Sequence, residues 1–229
     1  MLNSMRKYLR RTPEMDKLLV KLISPYIKGE KLNILDAGCG IGQLAAMVHR
    51  LSPASEILGV DQTKYVIQEA GKYFKEKNVR FKVADVIDLE KRFLKKFDVT
   101  VSKAVISWLP YYEDFMRALM AVTKEHIFLS SLFYEGDIDF ITQVREFKKE
   151  AGRDGFSEYR NVYSLPHFEK FVRGQGAKKV TVTDFDIGID IRKGDKNVLG
   201  TYTEKLANGK RLQISGAVLM NWKWVRIDL

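Results

Sequence analysis

Apolar residues at Met15, Leu18, Leu19, Leu22, Ile23 and Tyr26 recur at the three- and four-residue spacing of one helix face. Thr12-Pro13-Glu14 ahead of them reads as an N-cap, a first-position proline and a first-turn acid, and Gly29 as the stop. Five short apolar runs follow, over 33–37, 56–61, 79–84, 97–102 and 126–131, and each predicts a strand. Amphipathic stretches over 44–51, 66–74 and 110–122 predict helices among them. Strands alternating with helices imply βαβ units, a parallel sheet and right-handed crossovers.

After Ser131 the rhythm breaks. Phe140, Ile141, Val144 and Phe147 predict a helix, and a glycine- and aspartate-rich turn follows over 152–155. Ser164 caps a further helix that ends near Gly174 or Gly176. The stretch 180–191 alternates in part like a strand. Asn208-Gly209, between Tyr202-Thr203-Glu204-Lys205-Leu206 and Arg211-Leu212-Gln213-Ile214, signals a hairpin. The expected architecture is α/β: one domain over 1–229, with an N-terminal helical segment over 1–30 and an inserted lid over 133–163.

Composition narrows the class. With 229 residues, 45% of them hydrophobic and 30% charged, the chain reads as globular and able to bury a core without staples. A single cysteine, Cys39, excludes an internal disulfide and a cysteine-cluster zinc site. No apolar run approaches the ~20 residues of a membrane span, and the basic N-terminus lacks the apolar core of a secretory signal. A reducing cytoplasm is the expected location. Lys and Arg outnumber Asp and Glu by 39 to 29, a net +10. Residues 1–32 carry eight bases against three acids, whereas 133–164 carry seven acids against five bases. Without a long basic run, this charge leaves nucleic acid as an alternative partner rather than the first expectation.

The chemistry concentrates in Asp36-Ala37-Gly38-Cys39-Gly40-Ile41-Gly42, glycines between a strand and a helix. Such glycines let backbone approach a ligand closely. A dinucleotide site would have G-x-G-x-x-G after an apolar strand end. Here an acid stands at the strand end, which would repel a pyrophosphate but suits a cationic amino acid moiety. Asp61 at the second strand tip is placed for a ribose diol, and Asp85 at the third for an exocyclic adenine amine. Together these describe S-adenosylmethionine.

These residues resemble those of class I S-adenosylmethionine-dependent methyltransferases. ILDAGCGIGQLA is similar to the first family motif, ILGVDQT to the second and FKVADVID to the third, while FDVTVSKAVISWLP stands where the fourth falls. The likeness is good over roughly 31–131. It implies a Rossmann-like, mostly parallel seven-stranded sheet with helices on both faces and an antiparallel last strand. It implies that Gly38, Gly40 and Gly42 pass under the cofactor, that Asp61 binds the ribose with Gln62 flanking the adenine, and that Asp85 and Val86 read the adenine edge. Asp36, Cys39 and Ser102 complete the expected cofactor shell. Arg11 is placed to pair with the methionine carboxylate.

The sulfonium is an activated methyl donor, so alignment of the acceptor is the main task. No Asn/Asp-Pro-Pro-Tyr/Phe follows the fourth strand, and Ser102-Lys103 replaces the acid of metal-dependent relatives, so no metal is expected. Ser107, Trp108, Tyr112, Tyr134 and Tyr163 are candidate acceptor contacts, and His167 is the candidate general base. The expected activity is O- or N-methylation of a small molecule such as a sugar or a biosynthetic intermediate. An RNA methyltransferase and a non-catalytic S-adenosylmethionine-binding protein are the alternatives.

Overall fold

The computed structural model describes residues 12–146, 156–194, 201–215 and 218–229. The first helix, α1 (Glu14–Ile27), has Pro13 rather than Thr12 at its N-cap position, with no side-chain cap. Glu14 and Asp16 place negative charge in its first turn, which favours the positive helix end. Leu19, Ile23 and Ile27 are fully buried along one face. The alternating part then runs β1 (Asn33–Ala37), α2 (Gln43–Leu51), β2 (Glu56–Asp61), α3 (Lys64–Tyr73), β3 (Val79–Val83), α4 (Glu90–Phe93), β4 (Phe97–Lys103), α5 (Glu113–Val122) and β5 (Thr123–Ser131). Short 3-10 turns at Val86–Asp88 and Ile106–Trp108 follow β3 and β4.

The remainder comprises β6 (Phe133–Tyr134), β7 (Gln143–Glu146), β8 (Phe156–Tyr159), β9 (Tyr163–Ser164), α6 (Leu165–Gly174), β10 (Lys179–Asp184), β11 (Thr201–Lys205), β12 (Arg211–Ser215), β13 (Val218–Leu219) and β14 (Lys223–Asp228). Seven strands form the main sheet in the order β10-β14-β5-β4-β1-β2-β3. Strands β1 to β5 are mutually parallel, and β14 is antiparallel to both β5 and β10. The expected Rossmann-like sheet with its reversed last strand is therefore present.

Alternation along each strand divides the core. Ile34, Val99, Val101, Phe128 and Trp224 pack with α1 and α2 on one face. Leu35, Ala37, Ile127, Leu129 and Val225 pack with α5 and α6 on the other. Each Val, Leu, Ile or Phe among them contributes roughly 1.5–3 kcal/mol by leaving water. Trp224 also donates its indole N–H to the Met15 carbonyl at 3.0 Å, tying the last strand to the first helix. The chain leaves β1 toward β2 and β3 on one side, and β4 and β5 lie on the other. The reversal falls between β1 and β4, and open sheets of this kind bind ligands at the carboxyl ends of the strands there.

Two expectations are corrected. The segment with Phe140, Ile141 and Val144 is not helical: β7 pairs antiparallel with β8, and Phe140 bridges Val162. The carbonyls a helix would use are taken from farther along the chain: Phe140 O accepts from Val162 N at 3.0 Å and Thr142 O from Arg160 N at 2.8 Å. Asn161 Oδ1 accepts from Thr142 N at 3.0 Å and Asp139 Oδ1 from Ser164 N at 2.6 Å. Phe147 and the 152–155 turn lie outside the described residues. The strand expected over 180–191 ends at Asp184, although Phe185 and Ile187 stay buried. The Asn208-Gly209 hairpin is present, with β11 paired to β12 and Gly209 at φ 81°. Ser164 caps α6, its hydroxyl accepting from His167 N at 3.3 Å.

Candidate cofactor and acceptor site

The glycine loop leaves β1 and enters α2. Gly38, Gly40 and Gly42 have φ of 73°, 52° and 85°, the left-handed region where side chains are strained. Their surroundings differ. A Cβ on Gly38 would stand 2.3 Å from Val105 Cγ2, and one on Gly42 2.7 Å from Phe81 Cζ, so both press against protein. A Cβ on Gly40 would meet nothing within 4 Å, so the loop is open there.

The loop's amides are committed inward. Gly38 N and Cys39 N both donate to Val60 O at 2.9 Å, Gly42 N to Cys39 O at 2.9 Å, and Gly40 N to Asp61 Oδ2 at 3.0 Å. A phosphate-cradling loop turns such N–H groups toward its ligand. This one turns three of them to backbone carbonyls and, through Gly40 N, holds an acid at the tip of β2. Asp61 Oδ1 accepts from Thr63 N at 2.8 Å, and an ionised carboxylate keeps further lone pairs for hydroxyl donors.

Asp36 is buried at the end of β1, and its Oδ2 accepts from Ala45 N at 3.0 Å. Gly42 offers α2 no side-chain cap, so this carboxylate satisfies a free helical donor. Burial pushes its pKa up to about 7, against the pull of the Ala45 amide and of Lys103. Beside it, Lys103 Nζ lies 2.8 and 2.9 Å from the two oxygens of Asp16 on α1 and 3.3 Å from Gln43 Oε1. Burial also raises the Asp16 carboxyl, partly offset by Lys103. Cys39 is buried, its Sγ 3.6 Å from Gly40 O, and burial drives its thiol well above the usual range, the state of a packing group rather than a nucleophile.

The other expected residues are placed as follows. Gln62 is exposed after β2. Asp85 is exposed after β3, with Oδ1 accepting from Ile87 N at 3.0 Å, and Val86 is buried. Ser102 is buried and donates to Ala37 O at 2.9 Å, bracing β4 against β1. Arg11 lies outside the described residues. On the acceptor side, Ser107 is buried with its hydroxyl on Ala104 O at 3.3 Å. Tyr112 and Tyr163 are also buried, with ring centroids 4.9 Å apart. The Tyr163 hydroxyl donates to Leu109 O at 2.6 Å, and burial raises its pKa to about 12. Trp108 is 40% exposed, Tyr134 is half-buried edge-on to Phe140, and His167 in the first turn of α6 has Nε2 3.5 Å from Asp137 Oδ1.

Sequence reasoning placed Asp16, Lys103, Arg160 and Asn161 nowhere in the site. Asp16 carried a signal: an acid three and seven residues before Leu19 and Ile23 sits on their apolar stripe and needs a buried partner. Lys103 ended an apolar run in the same way. Asn161 and Arg160 gave no local signal, because their partners lie in the loop after β4.

A family described as a methyltransferase domain matches residues 28–192. The chain belongs to that family and, with its strand order and glycine loop, is a class I S-adenosylmethionine-dependent methyltransferase whose cofactor is S-adenosyl-L-methionine. It is 32% identical over 117 residues to a malonyl-[acyl-carrier protein] O-methyltransferase of Bacillus cereus, a match covering 51% of this chain and 43% of that protein. It is 32% identical over 94 residues to a trans-aconitate 2-methyltransferase of Deinococcus radiodurans, covering 41% and 33%. The chain thus spans less than half the length of these relatives. Among solved structures, a Burkholderia thailandensis 1,6-didemethyltoxoflavin-N1-methyltransferase superposes with a TM-score of 0.58 at 13% identity, over 99% of this chain and 83% of that one, a likeness of fold. Among the described residues no helix is long and apolar enough to cross a membrane.

Proposed function

We propose that this chain transfers the methyl group of S-adenosylmethionine to a small-molecule acceptor held over the carboxyl ends of β4 and β5. The observation that carries this reading is the glycine loop: closed from below at Gly38 and Gly42, open at Gly40, and hydrogen-bonded to Asp61 instead of offering its amides to a phosphate. When bound, the cofactor supplies an activated methyl group on a cationic sulfur. Asp61 accepts the ribose hydroxyls, and Gln62, Asp85 and Val86 border the adenine. Asp36 is the acid nearest the amino acid end, and a cationic amino group there would favour its ionised form. Cys39 fills the loop, and Ser102 holds β4 in register behind it.

On the acceptor side, Trp108 and Tyr134 contact the substrate. Ser107, Tyr112 and Tyr163 shape the wall, since their hydroxyl or ring surfaces are turned into protein. The insertion over 133–163 is the specificity element. Its base is anchored by Asn161, which donates from N to Ser107 O at 2.8 Å and from Nδ2 to Leu109 O at 2.7 Å. His167, oriented by Asp137, takes a proton from an acceptor that is protonated at working pH. The relatives named for malonyl and trans-aconitate methylation support a small-molecule acceptor. Transfer of a radiolabelled methyl group from the cofactor into a small-molecule extract fraction, abolished in Asp61→Ala, is the expected result. Label entering only RNA, or no transfer in the presence of cofactor binding, would overturn the acceptor class or the catalysis respectively.

A further inference from the structure

We propose that Trp108 is the surface on which the acceptor stacks, and that the acceptor is a planar, electron-rich ring system such as a phenol or enol rather than a saturated or cationic molecule. This rests on the methyltransferase reading above and names its substrate class. The Arg160 guanidinium lies 3.7 Å from the centroid of the Trp108 ring, while the side chain of Trp108 remains 40% exposed. One face of the indole is therefore covered by a cation, while the residue as a whole stays on the surface. Arg160 is itself held in place. Its Nη2 lies 2.8 Å from Glu158 Oε1, its backbone N donates to Thr142 O at 2.8 Å, and the two side chains are only 18% and 9% exposed.

The backbone around the ring is fixed as well. Asn161 bonds to the carbonyls of Ser107 and Leu109, the residues on either side of Trp108, and Trp108 N donates to Val105 O at 2.9 Å. Val105 is the residue that abuts Gly38 of the cofactor loop. Trp108 thus lies three residues along the chain from the side chain that meets the glycine loop. An exposed indole immobilised on both counts loses little entropy when a ligand stacks on it.

The surroundings fit an aromatic occupant. Among the described residues, five of the eleven exposed large hydrophobic side chains are Trp108, Tyr111, Ile138, Phe140 and Ile141, all on the loop after β4 or the start of the insertion. Exposed apolar side chains gathered on these two segments favour an apolar occupant beside Trp108. The charge decides which rings it takes. A guanidinium over one face draws electron density from the indole and weakens the negative potential of the other. The free face then favours an electron-rich ring and disfavours a cation.

Calorimetry on the full chain saturated with S-adenosylhomocysteine tests this with three probes of similar size: 2-naphthol, its decahydro analogue and N-methylquinolinium. Binding of 2-naphthol about tenfold tighter than either control is expected. Trp108→Leu should lose about tenfold in 2-naphthol affinity, Trp108→Phe should keep most of it, and Arg160→Gln should narrow the gap to the quinolinium. Unchanged S-adenosylhomocysteine affinity in the variants certifies that they fold. Equal binding of the decahydro analogue, no loss in Trp108→Leu, or no 2-naphthol binding overturns the proposal while cofactor binding stands. Failure of the wild-type chain to bind S-adenosylhomocysteine overturns the methyltransferase reading instead.

Discussion

The loop after β1 and the segments after β4 and β5 face the same end of the sheet, yet they are built differently. The cofactor side closes on itself. Its glycine amides are bonded inward, Asp36 and Asp16 are buried, and Lys103 joins the first helix to the end of β4. The acceptor side anchors its base through Asn161 and Tyr163 but leaves Trp108, Tyr111, Phe140 and His167 exposed. The first region is fixed by its own hydrogen bonds and by the Asp16–Lys103 ion pair. The second is a fixed frame carrying changeable side chains, the arrangement by which a common fold serves many acceptors.

The sharpest way to break this contrast is to crowd the closed side. Gly38→Val adds strain at a positive φ and a collision with Val105, and should cost about 5 kcal/mol of stability, read by denaturant unfolding. A cost below ~1 kcal/mol would mean the loop is pliable. The buried acid gives the next largest effect. Asp36 titrates near 3.9 in an unfolded chain and at about 7 in the fold, with Lys103, Asp16 and Asp61 as its charged neighbours. Its contribution to stability is therefore full below pH ~4 and is lost as pH rises to about 7, a loss of about 4 kcal/mol. Asp36→Asn should remove that slope, so the variant gains on the wild type between pH 4 and 8 in thermal melts. Identical pH profiles would place the carboxylate in contact with solvent.

Lys103→Met leaves Asp16 buried without its partner and should cost about 3 kcal/mol, most of it recovered when Asp16→Asn is added. Additive losses in the double variant would show that the pair does not act as a unit. On the open side the effect should appear in turnover and not in stability. His167→Gln should lower kcat about tenfold or more for an acceptor protonated at the assay pH, with the melting temperature unmoved. An unchanged kcat would leave the acceptor to attack unaided.

The same contrast explains what the residues revealed in advance. The cofactor side is local in sequence: a strand, three glycines and a helix within 20 residues, then acids at two further strand tips. Patterns of that range survive in a one-dimensional reading. The acceptor side depends on distant pairs, Asn161 with Leu109 and Arg160 with Trp108, which local periodicity cannot encode. The apolar spacing of Phe140, Ile141 and Val144 suggests a helix because nothing nearby announces that Val162 and Arg160 take the carbonyls of Phe140 and Thr142. Asp16 and Lys103 each stand out locally on an apolar stripe, but at 87 positions apart nothing in the sequence pairs one with the other.

Titration calorimetry with S-adenosylhomocysteine on the wild-type chain and on Asp61→Ala tests the central claim most directly. Saturable one-to-one binding to the wild type, weakened about 100-fold in a variant that still melts cooperatively, only a few degrees lower for the lost bonds to Gly40 N and Thr63 N, is the predicted result. Equal binding to both proteins, or none to the wild type, would contradict it.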